Sequence, residues 1–363
     1  MFDDAIDDVA NRLQLPRESE TSVSSSFRVY PGEKAKVLGC RPFSLALYGE
    51  GGKVSQLSMV FANKGDEPES DMVNGKVGEL IARDAACIEE TLRGVLGEPV
   101  KSKFGSGHSA TEKGLRWDWN GQTILLVAPK GEYAAVRVLP TSVADGEDAQ
   151  RVPDSVLREQ LAARVERREN GDVVLADIPM VDQGPKGYCV PATWERALRY
   201  LGIPADMYIL AMAGSTSKGG GTYVKDMVAG ASDVVRKNGR RLSFGSGRID
   251  SLGVSRTIDK GLPILWSIYV DPELNREVTQ RSKPRKDVTD WNAYAAGLKA
   301  ARSNARRLAP DHANGHMCMI IGYNRKTREI AISDSWGPEF SERWITDEEA
   351  QAIHAGDTVI INW

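Results

Sequence analysis

The chain has 363 residues, enough for about two average domains, with 47 basic and 50 acidic side chains and a formal charge of −3. So even a balance excludes a nucleic-acid binder held by bulk positive field, and no apolar run approaches the roughly 18 residues of a membrane span. Four cysteines without a Cys-x-x-Cys pair exclude a disulfide scaffold and carry no zinc signature.

The first 26 residues are acidic and end in Ser24-Ser25-Ser26, which predicts a loosely held lead-in. They contain neither a basic patch nor an apolar stretch, so no signal peptide is expected. The compartment is then cytoplasmic by default, or exported if the start has been processed. From Phe27 the pattern turns to β: Leu57, Met59 and Phe61 alternate with polar neighbours behind a Gly51-Gly52 turn. Val77, Ile81, Ala85, Ile88, Leu92 and Val95 keep a three-to-four-residue spacing, predicting one helix stopped by Gly97 and Pro99. Leu115, Trp117 and Trp119 alternate up to Asn120-Gly121, a strong hairpin signal, and a second hairpin runs through Lys130-Gly131 to Val136 and Val138. Residues 27–140 thus read as an α+β accessory domain, one helix on an antiparallel sheet. Residues 141–171 are polar, with a weak stripe of Val156, Leu161 and Val165, and predict a helical linker. Residues 172–363 read as a second domain.

In that domain, Asp182-Gln183-Gly184-Pro185-Lys186-Gly187-Tyr188-Cys189 leads into a helical pattern with Val190, Trp194, Leu198 and Leu201 on one face. Pro191 suits the first turn, where its missing N–H costs nothing, and Gly202 with Pro204 ends the helix. Cys189 therefore starts a helix, where the dipole and unpaired N–H groups favour a thiolate. Gln183 sits on a glycine-rich loop that can bend its amide back beside the sulfur. A thiolate nucleophile needs a base. His316 opens an apolar strand pattern, Met317 to Ile321, that ends in a turn at Gly322, and a second strand at 329–333 delivers Asp334. On a hairpin the start of one strand lies beside the end of the next. Asp334 can then orient the His316 imidazole, the nucleophile–base–orienter arrangement of acyl transfer. His312 and His316 are four apart, but Asn314-Gly315 opposes a helix there and no third ligand stands out, so no metal is expected. Without a phosphate loop or a Gly-x-Ser-x-Gly elbow, no nucleotide cofactor or serine nucleophile is expected either.

Taken together, Gln183-Gly-x-x-Gly-x-Cys189, His316 followed by Gly322-Tyr323, and Asp334-Ser335-Trp336-Gly337 resemble the papain-like cysteine peptidases. That family places its His and Asn about 130–150 residues after its Cys. Here the separations are 127 to His316 and 145 to Asp334. Gly219-Gly220-Gly221 resembles the stretch whose backbone pairs with an extended substrate, and Gly261-Leu262-Pro263-Ile264 the strand that opens the second lobe. Asp334 in place of Asn is similar to the bacterial branch that includes the double-glycine leader peptidases. No transporter segment accompanies it, so transport-coupled leader cleavage is not expected. Val190 stands where the family usually has an aromatic residue, and Lys186 where the plant and animal enzymes have a disulfide cysteine. Residues 271–312, with Arg302, Arg306 and Arg307, read as a solvated helical insertion.

The resemblance implies a two-lobed thiol hydrolase of peptide or isopeptide bonds. Cys189 attacks, Gln183 holds the oxyanion, His316 moves protons, Asp334 orients it and Trp336 shields the pair. Gly219, Gly220, Gly221 and Trp336 contact a peptide or protein substrate. The same residue types also serve acyl transferases of the transglutaminase type, and a catalytically silent binding module keeps the same cleft. The accessory domain is expected to dock substrate or to regulate the cleft.

Overall fold

A computed structural model describes residues 1–65, 76–104, 112–146, 153–185, 187–217 and 221–363. It contains helices and two antiparallel sheets, the α+β class. Contacts divide the chain into two compact units that interleave along the sequence. The first is Met1–Arg151, Asp182–Pro191 and Ile203–Lys237; the second is Val152–Val181, Ala192–Gly202 and Asn238–Trp363. No helix among the described residues is long and apolar enough to cross a membrane.

The first unit is built on eight strands: β1 (Arg17–Glu20), β2 (Ser24–Val29), β3 (Ser44–Glu50), β4 (Lys53–Asn63), β5 (Val100–Phe104), β6 (Glu112–Trp119), β7 (Gln122–Val127) and β8 (Tyr133–Pro140). Their spatial order is β1-β2-β3-β4-β8-β7-β6-β5. The helix Lys76–Leu96 buries Val77, Ile81, Ile88 and Leu92 against Phe61, Trp117, Leu126 and Val136. Val95, expected on that stripe, is exposed, and Leu96, four residues after Leu92, packs against this core in its place. Asn120 and Gly121 take φ of 48° and 71°, the mirror-image turn that matches strand twist. The acidic start is not a loose lead-in. Residues Ile6–Arg12 form a helix whose Ile6, Val9 and Ala10 are buried with Phe27, Leu47 and Val54. Three apolar residues on one face of two turns suffice to dock a short helix, whatever the charge of its outer face.

The second unit also has eight strands: β9 (Val165–Arg167), β10 (Val173–Leu175), β11 (Arg241–Gly245), β12 (Ile264–Tyr269), β13 (Gly315–Asn324), β14 (Glu329–Ser333), β15 (Arg343–Thr346) and β16 (His354–Asn362). The order is β11-β16-β12-β13-β10-β9, with β14 branching from β13 and carrying β15. The expected linker, residues 141–171, is divided: the short helix Thr141–Ala144 belongs to the first unit and the chain from residue 152 to this one. The helix Asp154–Ala163 buries Leu161 of the expected stripe together with Leu157 and leaves Val156 exposed, while Val165 lies in β9. Gly322 does not end its strand in a turn. It lies inside β13, where a Cβ would meet the Val173 carbonyl of β10 at 2.5 Å, so only glycine lets the two backbones pass.

The insertion at 271–312 is helical as expected, but it is tied down by buried charge. Arg285 is buried, pairs with Asp172 (2.7 Å) and Glu329 (2.5 Å), and lies 3.9 Å over the Trp344 ring. Arg302 donates to the Thr327 carbonyl at 2.5 Å, while Arg306 and Arg307 are exposed.

Candidate active site

In the first unit, a loop of glycine and proline precedes the helix Cys189–Tyr200, with Cys189 and Gln183 both buried. Asp182 starts the loop with a short turn, its carboxylate accepting from the Gly184 N–H at 2.9 Å. Gly184 has a φ of +74°, a left-handed conformation that a side chain would strain. The helix was expected to bury one stripe. In fact it is buried nearly all round, including Thr193, Glu195 and Arg196.

Those buried polar groups have partners in the second unit, to which residues from Ala192 belong. The Thr193 hydroxyl donates to the Met317 carbonyl at 3.0 Å. Arg196 donates to the Pro179 carbonyl at 2.8 Å and to the Ser333 hydroxyl at 2.5 Å. Within the second unit, the stretch from Ala192 is thus fastened to Met317 and Ser333, the chain neighbours of His316 and Asp334.

Within the second unit, β13 pairs with β14 and with β12, and Ile268 of β12 faces His316. Asp334 follows β14 directly, and its Oδ1 lies 2.9 Å from His316 Nε2. Both residues are buried, Asp334 completely. The Trp336 ring stacks on the imidazole at 4.4 Å and 23°. The second carboxylate oxygen, Oδ2, accepts from Arg343 on β15. Arg343 is itself fixed by Asn275 Oδ1 and Thr279 Oγ1, both at 2.7 Å, and its guanidinium lies 5.5 Å over the Trp336 ring. Burial pushes the Asp334 carboxyl up, but the His316 bond and the Arg343 charge outweigh it and hold the group below its ordinary range. Asp334 is thus a carboxylate able to take a proton's share from imidazole without becoming protonated itself.

Of the glycine stretch, Gly219 and Gly220 lie outside the described residues, as does Lys186. Gly221 turns its backbone inward: its N–H donates to the Gly187 carbonyl and its carbonyl accepts from Ser217 N, both at 2.9 Å. Its N–H is therefore engaged with the cysteine loop. The sequence reading missed Arg343, Arg196 and Thr193. The available signal was an arginine among Trp344, Ile345 and Thr346, a charge inside an apolar strand that must find a partner. Among the described residues no group of three His, Cys, Asp or Glu side chains is placed to hold a metal.

Fold and pair together define the class: an α+β chain whose second half is peptidase-like. Residues 175–355 match the model of the Peptidase_C39 like family, and this half of the chain belongs to that family, which points to cysteine peptidase-type activity on peptide or protein. No curated protein matches the sequence.

Proposed function

We propose that the protein is a thiol hydrolase of peptide or isopeptide bonds with Cys189 as nucleophile, His316 as base and acid, Asp334 as orienter and Gln183 as oxyanion donor. The observation that carries this reading is the buried His316–Asp334 pair at 2.9 Å under the Trp336 ring. With Nε2–H donated to Asp334, Nδ1 is the nitrogen that exchanges a proton with the thiol. The thiolate adds to the carbonyl, whose π pair moves onto oxygen, held by the Cys189 N–H and the Gln183 amide. Collapse breaks the C–N bond as imidazolium protonates the leaving amine. Water then adds to the thioester, giving its proton to Nδ1, and the thiolate leaves. In this reading the second domain is papain-like, with a helical lobe opened at Cys189 and a β-rich lobe from about Leu262. Gly219 and Gly220 would contact the substrate backbone, and Trp336 would keep water from the pair.

The test is the pH dependence of alkylation by iodoacetamide, followed at each cysteine by mass spectrometry. A Cys–His ion pair predicts fast labelling of Cys189 below pH 6, the regime in which thiolates with pKa of roughly 3.5–7.5 react. Cys40 is the internal contrast, since burial and a hydrogen bond with the Cys87 thiol push its own thiol up to about 12. Labelling of Cys189 that rises only near the ordinary thiol pKa of about 8.5 would contradict the reading. A second result follows for Gln183→Ala. Loss of one oxyanion donor should raise the barrier by about 2.7–4 kcal/mol, or 10²–10³-fold in kcat on a peptide selected from a library. An unchanged kcat would mean that Gln183 does not serve the oxyanion.

A further inference from the structure

We infer that the amino-terminal sheet is the platform of the cysteine loop, with Glu18, Tyr30 and Asn63 as positioning residues for the two peptide groups next to Gln183 and Cys189. This rests on the reading of Cys189 as nucleophile. All the contacts lie within the first unit.

Asp182, the residue before Gln183, is held at both backbone groups. Its N–H donates to Glu18 Oε1 and its carbonyl accepts from the Tyr30 hydroxyl, each at 2.7 Å. The carbonyl belongs to the peptide plane that joins Asp182 to Gln183, so Tyr30 sets the plane from which Gln183 departs. The Tyr30 ring also fills the space beside Gly184, where a Cβ would lie 2.7 Å from it. At the other end of the loop, the hydroxyl of Tyr188 donates to Asn63 Oδ1 at 3.0 Å. The Tyr188 ring lies where a Cβ on Gly65 would stand, at 2.3 Å. Tyr188 is the residue before Cys189, and the peptide between them carries the N–H assigned to the oxyanion.

The holding groups are themselves fixed. Glu18 is buried and accepts from Arg28 Nε at 2.6 Å and from the Ser26 hydroxyl at 2.9 Å. Asn63 is fully buried, donates to the Phe61 carbonyl and accepts from Gly65 N, each at 3.1 Å. Glu18, Ser26, Arg28 and Asn63 lie on β1, β2 and β4, elements whose cross-strand ladder leaves little freedom. A site is held to the tolerance that acyl transfer needs when rigid elements and satisfied supporting bonds carry it. A misplacement of about 1 Å remote from the reacting atoms costs on the order of 10²-fold in rate.

The test uses the full chain and the double variant Tyr30→Phe/Tyr188→Phe, which keeps both rings and removes one hydroxyl at each end of the loop. The probe is iodoacetamide and the readout is the Cys189 labelling rate against pH. A loosened helix start stabilises the thiolate less, so the acid limb should move up by about one pH unit, with roughly tenfold slower labelling at pH 6. Leu47→Ala, which opens a cavity in the same unit away from the loop, should lower Tm and leave the profile unchanged. If the double variant does not fold, Tyr30→Phe alone should show the same direction, by about threefold. A double variant that loses Tm but keeps the wild-type profile, as the Leu47→Ala control does, would overturn the inference while leaving the nucleophile in place. A wild-type profile without labelling below pH 6 would overturn the reading of Cys189 and the inference together.

Discussion

Cys189→Ala is expected to lower kcat by on the order of 10⁶-fold, and His316→Ala by a similar factor, with the double variant no worse than either. The two side chains act as one unit in the proposed reaction, so removing the nucleophile leaves the base nothing to activate. Removing the base leaves a thiol that must ionise alone. Steady-state hydrolysis of a library-selected peptide measures the loss, with thermal unfolding as the control for folding. Additive losses would instead mean that the two residues act in separate steps. Asp334→Asn should be milder. An amide oxygen still accepts from Nε2. A variant as inactive as Cys189→Ala would show that the charge of Asp334, beyond its orientation of the ring, is needed.

Arg343→Met is expected to destabilise the protein by about 3–5 kcal/mol, the usual cost of leaving a buried carboxylate without its counter-charge. Asp334 is completely buried and has one oxygen on His316 and the other on Arg343. Because its carboxyl is held below the unfolded value of 3.8, it contributes stability that is fully present above that pH. The contribution is lost as pH falls through the lower folded pKa. Without Arg343, desolvation is opposed by His316 alone, the carboxyl rises, and this acid-sensitive contribution should shrink. Urea titrations at pH 7 and at pH 3 measure both effects. In Arg343→Met/Asp334→Asn the buried charge is gone, so much of the stability lost at pH 7 should return. A cost for Arg343→Met below about 1 kcal/mol, the worth of an exposed ion pair, would mean that the guanidinium does not neutralise Asp334 in solution.

Sequence period alone was enough for those parts of the protein in which cause and effect lie close along the chain. The apolar spacing from Val77 to Leu92, the turn at Asn120-Gly121 and the helix start at Cys189 are local events, set by helical repeat, positive φ and a proline in the first turn. His316 and Asp334 were legible as a pair for the same reason: 18 residues of hairpin bring them together whatever the rest of the chain does. The short helix Ile6–Arg12 was not, because its acidic outer face hides three apolar residues whose meaning depends on Phe27 and Leu47. Nor were the groups that hold the site. Glu18 reaches Asp182 across 164 residues and Tyr30 across 152. A single hydrogen bond at such separation leaves no repeat in the sequence. Arg343, too, has the same letter whether it lies in water or on a buried carboxylate. The sequence by itself determined where the helix at Cys189 and the hairpin bearing His316 and Asp334 begin. Tertiary structure alone decided which buried partners hold those residues, because desolvation and pairing are properties of the folded surroundings and not of the local chain.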